Sequence, residues 1–157
     1  MIEVREGCVV DAVLNDEVDV MLHVSNCQGV MGSGVAKVVK EKVPSAYANY
    51  LEFYRNDKEN MLGDYSYSDD GYVVNLHAQE FYGYDGKQYL SYDALRASLQ
   101  NLLWDAKNGF GHIFLKGKTT FAVPYKMGSE RSGGDWNEVQ KILTEMLEGY
   151  NIVAYKI

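Results

Sequence analysis

VSNCQGVMGSGVAKVVKEK, residues Val24 to Lys42, is the stretch that decides the fold of this chain. It begins at the end of an apolar run, VDVMLHV (Val18–Val24), which is typical of a buried strand. Three glycines follow, Gly29, Gly32 and Gly34, and then an amphipathic pattern with helical spacing. Glycine lets the backbone approach a ligand, and the free amides of a helix's first turn attract anions. We therefore expect this strand, glycine loop and helix to hold a pyrophosphate.

Length and composition limit the class of protein. The 157 residues are typical of a single domain, residues 1–157, with a net charge of −7 from 22 acidic and 15 basic side chains. That charge argues against general nucleic-acid binding, but backbone amides can hold a small anion in an acidic protein. Membrane-spanning and signal-peptide patterns are absent from the sequence. The two cysteines form no CxxC pair, so we expect a cytoplasmic protein without a metal site.

Strand and helix patterns alternate along the chain, which predicts an α/β domain of three layers with a mostly parallel sheet. The predicted strands are Ile2–Arg5, Val9–Leu14, Val18–Ser25, Leu62–Tyr67, Tyr72–Ala78, Phe110–Lys116, Thr119–Tyr125 and Ile152–Ile157. The predicted helices are residues 35–43, Ala46–Tyr54, Tyr92–Ala106 and a last helix that begins near Trp136. Ligands of such sheets bind at the carboxyl ends of the strands, where glycine loops meet helices.

A second glycine loop, Gly128–Gly134, follows the strand Thr119–Tyr125 in the same way that Gly29–Gly34, the first glycine loop, follows its strand. We expect the two loops to lie side by side. Asp135 ends the second loop and is either only the N-cap of the last helix or also a polar group of the site. Trp136 is more typical of core packing.

The first loop matches neither common nucleotide-binding motif. Val35 and Ala36 stand where a Walker loop needs Lys and Ser or Thr, and the glycine spacing is GxxGxG rather than GxGxxG. Asn26 either binds a ligand hydroxyl or braces the loop through its own backbone. His23 is either a core residue of the strand or a general acid or base near the ligand. Cys27 lies beside the loop and is a candidate nucleophile, but the sequence places no base for it.

Two motifs in this order resemble the macro domains. NCQGVMGSGVAKVVKEKVP is similar to their first ligand loop, in particular to the branch of the ADP-ribose 1″-phosphate phosphatases of yeast and phages, and PYKMGSERSGGDW is similar to that branch's second loop. The resemblance spans nearly the whole chain. It implies the three-layer α/β/α macro-domain fold with a mixed, mostly parallel central sheet. It also implies a small-molecule ligand, ADP-ribose or its 1″-phosphate, with no cofactor or metal, and we expect a monomer.

The resemblance also implies a role for each matching residue. Asn26 would contact the distal ribose, and His23 and Asp135 would be the catalytic candidates. The backbone around the pyrophosphate and ribose would come from Gly32, Ser33, Gly34, Val35, Gly128, Ser129, Ser132, Gly133 and Gly134. The implied activity is hydrolysis of ADP-ribose 1″-phosphate; the alternatives are an ADP-ribosyl hydrolase acting on modified protein or nucleic acid, and a binding module without turnover.

Three positions depart from the macro-domain pattern. Gly7-Cys8 stands where many relatives have Gly-Asp, whose Asp holds the adenine amino group, and Asp11 is out of register. Glu130 stands where several relatives have glycine. Lys87 does not match the lysine of the glycohydrolase branch.

Overall fold

A computed structural model describes residues 2–83, 85, 87–110, 115, 118–129 and 132–157. Within these residues, six strands form one sheet: β1 (Glu3–Glu6), β2 (Val20–Ser25), β3 (Tyr65–Tyr67), β4 (Val73–His77), β5 (Thr120–Pro124) and β6 (Asn151–Lys156). The helices are α1 (Val9–Leu14), α2 (Gly34–Lys42), α3 (Pro44–Asp57), α4 (Tyr92–Lys107) and α5 (Trp136–Met146), with a short 3₁₀ turn at Lys58–Asn60. None of the helices in the described part of the chain has the length and apolarity that crossing a bilayer requires.

The sheet has the strand order β1-β6-β5-β2-β4-β3, and only the edge strand β3 runs antiparallel to its neighbour. A mixed, mostly parallel sheet is therefore confirmed. Parallel strands need long crossover connections, which the helices supply on both faces.

The two faces of the sheet carry two separate apolar cores, because successive side chains of a strand point in opposite directions. Leu22 of β2 packs with Leu95 of α4 and Ile142 of α5 in one core. Met21, its neighbour in sequence, packs with Val39 of α2 in the other core. The strand is buried on both sides, which explains why its sequence is almost continuously apolar.

The predicted strand at Val9–Leu14 is wrong, because these residues form α1. Its valines favour strands by intrinsic propensity, but Val9, Val10 and Val13 lie on one helical face that is buried in the core. Tertiary packing overrides the propensity here, since β1 pairs in parallel with β6 and the chain must cross over to the next strand.

The other predicted elements that fall on described residues are present with shifted bounds. The strand predicted at Leu62–Tyr67 is shorter, because Leu62 and Gly63 form a turn, and the second helix starts earlier, at Pro44. The strand predicted at Phe110–Lys116 falls mostly on 111–114 and 116, outside the described residues, and Phe110 itself lies in coil.

The carboxyl ends of the central strands share one edge of the sheet. Ser25 of β2 is in register with His77 of β4, and β5 runs parallel on the other side of β2. Both glycine loops leave the sheet at this edge, which is where an α/β fold places its ligands.

Candidate functional site

A cavity of about 410 Å³ opens at this edge, a volume within the range of roughly 300–1,000 Å³ that is common for ligand pockets. Its walls come from the first glycine loop, from the second and from the segment after β4. The described residues that line it are His23–Asn26, Val30–Ala36, Gln79, Tyr82, Gly83, Pro124–Gly128 and Ser132. The two loops therefore meet at one cavity, as the sequence predicts.

The N-terminus of α2 forms one wall. The first α-helical hydrogen bond of α2 runs from the Lys37 amide to the Ser33 carbonyl, so the amides of Gly34, Val35 and Ala36 have no carbonyl partner within the helix. All three residues line the cavity. Gly34 has φ +60°, a conformation that favours glycine. This end of the helix presents amides and a positive partial charge to the cavity.

A buried tyrosine that the sequence did not single out holds the first loop. The Tyr50 hydroxyl accepts hydrogen bonds from the amides of Gly29 and Val30, at 3.0 and 3.1 Å. It lies 2.7 Å from Asn26 Oδ1, to which it donates. Burial raises the pKa of Tyr50, which keeps its proton. The only sequence signal was the place of Tyr50 on the apolar face of α3.

Asn26 braces the loop from the other side. Its Oδ1 accepts from the Gln28 amide at 2.9 Å, and its Nδ2 donates to the Val30 carbonyl at 2.9 Å. Because an amide nitrogen carries two hydrogens, Asn26 can brace the loop and still donate a second hydrogen bond toward the cavity that it lines.

The second loop turns sharply after β5. Lys126 adopts φ +57°, a conformation that is uncommon for a residue with a side chain, and Gly128 adopts φ +72°. The Gly134 amide donates to the Gly128 carbonyl at 3.0 Å and closes the turn. Glycine is required at 133, since φ is +70° and a Cβ there would lie 2.4 Å from the Lys87 carbonyl oxygen.

The segment after β4 forms a third wall of the cavity. Ser132 donates from its hydroxyl to Gln79 Oε1, and its carbonyl accepts from the amides of Tyr89 and Leu90. These bonds fasten the second loop to the segment that carries Tyr82 and Gly83 into the cavity wall.

His23 lies in the wall with only 2% of its surface exposed. Its Nε2 lies 2.6 Å from Asn75 Oδ1. Burial lowers the pKa of His23 to about 4, because the charged imidazolium loses its hydration, and the bond to Asn75 opposes this only in part. The ring is therefore neutral at pH 7.

The structure brings most of the predicted site residues together at this cavity but not all of them. His23, Asn26, Gly32, Ser33, Gly34, Val35, Gly128 and Ser132 line it. Ser129, Gly133, Gly134 and Asp135 are outside the described lining. The Asp135 carboxylate accepts from the Asn137 amide at 2.8 Å and so caps α5.

The structure gives positions for most of the residues that depart from the macro-domain pattern. Cys8 is the N-cap residue of α1, and Asp11 is 2.6 Å from Lys42 in an exposed ion pair. Cys27 is buried, and burial raises the pKa of its thiol to about 12, which disfavours the thiolate that a nucleophile requires. Glu130 lies outside the described residues.

The charge of the cavity differs from that of the chain. The chain has 22 acidic residues, yet no carboxylate side chain belongs to the described lining, where Lys126 supplies a cation. Ser25 Oγ, in the same wall, is buried without a hydrogen-bond partner in the described structure. A buried polar atom of this kind calls for a partner such as a ligand. The site suits an anionic ligand with hydrogen-bonding groups.

Comparison with known sequences gives partial matches. No protein-family model matches this sequence. A Debaryomyces hansenii protein named ADP-ribose 1″-phosphate phosphatase is 34% identical over 82 residues, or 42% of this chain and 46% of that protein. An Aspergillus fumigatus protein of the same name is 40% identical over 61 residues, or 38% of this chain and 28% of that protein. The matches thus span less than half the length of both relatives.

Solved structures match over nearly the whole chain. The macrodomain of Mycobacterium tuberculosis DarG has a TM-score of 0.72 and 21% identity, with 99% of this chain and 97% of that chain covered. Thermosipho africanus DarTG in complex with ADP-ribose has a TM-score of 0.70 and 19% identity, with 98% of this chain and 41% of that chain covered. The chain thus has the macrodomain fold, and its sequence resembles the ADP-ribose 1″-phosphate phosphatase branch of that fold.

Proposed function

We propose that this chain binds ADP-ribose derivatives and hydrolyses ADP-ribose 1″-phosphate to ADP-ribose and phosphate. The observation that carries the proposal is the shared cavity, in which the helix N-terminus at Gly34–Ala36 faces the second glycine loop. The names of the two relatives support the same activity. A ligand with several phosphates matches a cavity that offers amides and a lysine without described carboxylates.

In this proposal the two loops do the binding. The amides of Gly34, Val35 and Ala36 hold phosphate oxygens and stabilise the charge that develops during transfer. Asn26 donates its second Nδ2 hydrogen to a ribose hydroxyl. Ser25 Oγ gains the hydrogen-bond partner that it lacks in the described structure.

His23 is the proposed general base for water. It lines the cavity, and its low pKa keeps the imidazole unprotonated at neutral pH, so it can accept a proton. Water attacks phosphorus, the bond from phosphorus to the ribose oxygen breaks, and inorganic phosphate leaves. The Asp135 side chain is exposed and caps the N-terminus of α5, so the proposal assigns it no role in the chemical step.

A second candidate is removal of ADP-ribose from a modified protein or nucleic acid in the same cavity. The exposed aromatic rings of Tyr82, in the wall, and of its neighbour Phe81 favour this candidate, because they offer an apolar surface to a large substituent on the ribose. The third candidate is binding without turnover. The nearly complete burial of His23 favours this candidate.

One set of assays separates the three candidates. Release of phosphate from ADP-ribose 1″-phosphate supports the first, and release of ADP-ribose from a modified protein or oligonucleotide supports the second. Calorimetric binding of ADP-ribose without either product supports the third. No heat and no product would contradict all three. A Gly32→Val variant is the control, because loss of phosphate release in this variant links the activity to the cavity, whereas release at the unaltered rate contradicts that link.

A further inference from the structure

A chain of buried polar groups extends from His23 away from the cavity. His23 Nε2 lies 2.6 Å from Asn75 Oδ1, and Asn75 Nδ2 donates to Ser66 Oγ at 3.0 Å. Ser66 Oγ lies 2.8 Å from His77 Nε2, and His77 Nδ1 lies 3.2 Å from the Met61 carbonyl oxygen. All four side chains are buried. The hydrogens of such a chain can be placed by elimination, because each group has a fixed number of donors and acceptors.

The far end of the chain fixes His77. A carbonyl oxygen only accepts hydrogen bonds, so His77 Nδ1 carries the hydrogen and donates to Met61. Burial lowers the pKa of His77 to about 4, so the ring is neutral at pH 7 and its Nε2 is an acceptor. The Ser66 hydroxyl therefore donates to His77 Nε2 and accepts from Asn75.

The hydrogen bonds of Asn75 then determine which nitrogen of His23 carries the hydrogen. Its Nδ2 donates both to Ser66 Oγ and to the Ala46 carbonyl, the latter at 3.1 Å. The reversed amide would place Oδ1 against the Ala46 oxygen, where two acceptors would face each other. Oδ1 is therefore the atom that faces His23, so His23 Nε2 must carry the hydrogen. In a neutral imidazole this leaves Nδ1 as the basic nitrogen.

We propose that Asn75 is a positioning residue, which locks His23 in the Nε2–H tautomer and makes Nδ1 the base of the reaction. This inference rests on the proposed function. The attacking water gives a proton to Nδ1 while its oxygen bonds to phosphorus. The bond from phosphorus to the ribose oxygen breaks, that oxygen takes a proton from solvent, and His23 later returns its own proton to solvent.

The tautomer of His23 is tested first, without any substrate. Two-bond proton–nitrogen correlation spectra of the protein with ¹⁵N-labelled histidine distinguish the two tautomers, and His77→Gln and His112→Gln variants assign the signals. We expect opposite tautomers in the two buried rings at pH 7, Nε2–H in His23 and Nδ1–H in His77. A mixture of tautomers in His23, or its Nδ1–H form, would overturn the proposal.

Variants of Asn75 then test the effect on turnover. Asn75→Leu removes the acceptor, so we expect mixed tautomers in His23 and a kcat lowered about 100-fold with KM nearly unchanged. Asn75→Asp keeps an acceptor for Nε2–H but loses the donor bonds to Ser66 and Ala46, so we expect His23 to retain the Nε2–H tautomer in this variant and kcat to fall less than in Asn75→Leu. Circular dichroism checks that each variant folds. If a variant does not fold, the tautomer spectra of the unaltered protein still decide whether His23 is held in the Nε2–H form.

Two results separate this inference from the proposed function. If the unaltered protein binds ADP-ribose but does not release phosphate, the phosphatase activity is wrong, and the tautomer spectra alone decide the lock. If it does release phosphate and Asn75→Leu leaves kcat unchanged, the positioning role of Asn75 is refuted.

Discussion

The hydroxyl of Tyr50 lies 2.7 Å from Oδ1 of Asn26 and 2.9 Å from the carbonyl oxygen of the same residue. One buried phenol on α3 thus holds the start of the first glycine loop, and its two further bonds hold the amides of Gly29 and Val30. The shape of the cavity wall therefore depends on Tyr50, although the described lining of the cavity does not include this residue.

Tyr50→Phe should weaken both folding and ligand binding. The change keeps the ring but leaves the amides of Gly29 and Val30 without their acceptor, which costs about 1–3 kcal/mol. Chemical unfolding gives the free energy of unfolding, and calorimetry gives the affinity for ADP-ribose. Tyr47→Phe is the matched control on the same helix, because the ring of Tyr47 makes its contacts with Tyr50 and Lys40. Equal affinity in the two variants would contradict the loop-holding role.

Gly32→Val should abolish ligand binding while leaving the fold intact. Gly32 lines the cavity, and among the described residues a Cβ there would meet only Val30, at an ordinary 3.6 Å. The added side chain therefore takes the ligand's space without backbone strain. Gly34 is a less clean probe, because its φ of +60° makes any substitution strained. A thermal unfolding midpoint near that of the unaltered protein, together with lost ADP-ribose affinity, is the expected result; retained affinity would refute the site.

The free energy of unfolding should fall as the pH decreases from about 6.5 to about 4. His23 and His77 have pKa values lowered to about 4 by burial, so in this range the unfolded chain binds protons that the folded chain does not. Each shift corresponds to about 3 kcal/mol. Urea unfolding at several pH values measures the slope. A His77→Gln variant should show a smaller slope, and an identical slope would contradict the pKa of His77.

Gly133→Ala should destabilise the second glycine loop far more than Gly149→Ala. Both glycines have positive φ, +70° and +90°, so both substitutions pay a similar backbone cost of about 1–2 kcal/mol. Only at Gly133 would the Cβ also lie 2.4 Å from the Lys87 carbonyl oxygen, whereas a Cβ at Gly149 meets nothing within 4 Å among the described residues. Unfolding measurements on the pair isolate this contact. Similar losses of stability in the two variants would show that the second glycine loop relaxes to make room for the added Cβ.

Cys27 should react slowly with thiol reagents and should be dispensable for turnover. Its pKa is raised to about 12 by burial, whereas Cys8 is partly exposed. Mass spectrometry after brief treatment with iodoacetamide at pH 7.5 should find Cys8 modified first. Phosphate release that vanishes in Cys27→Ala, while the variant stays folded, would restore the nucleophile hypothesis.

The amino-acid sequence by itself determined the layers and the edge of the sheet where the site lies. Apolar runs and helical periodicities are local patterns, and the two glycine loops follow strands β2 and β5 in the sequence itself. The same patterns were wrong at Val9–Leu14, where valine propensity indicated a strand and packing required a helix.

Only the tertiary structure decided which groups meet. Tyr50 and Asn26, His23 and Asn75, and Ser132 and Gln79 are far apart in the chain, and no periodicity links them. Their pairing depends on the register of parallel strands and on helices packed across the sheet. These are long-range contacts whose geometry exists only once both cores are formed, and the burial that lowers the pKa of His23 arises with them.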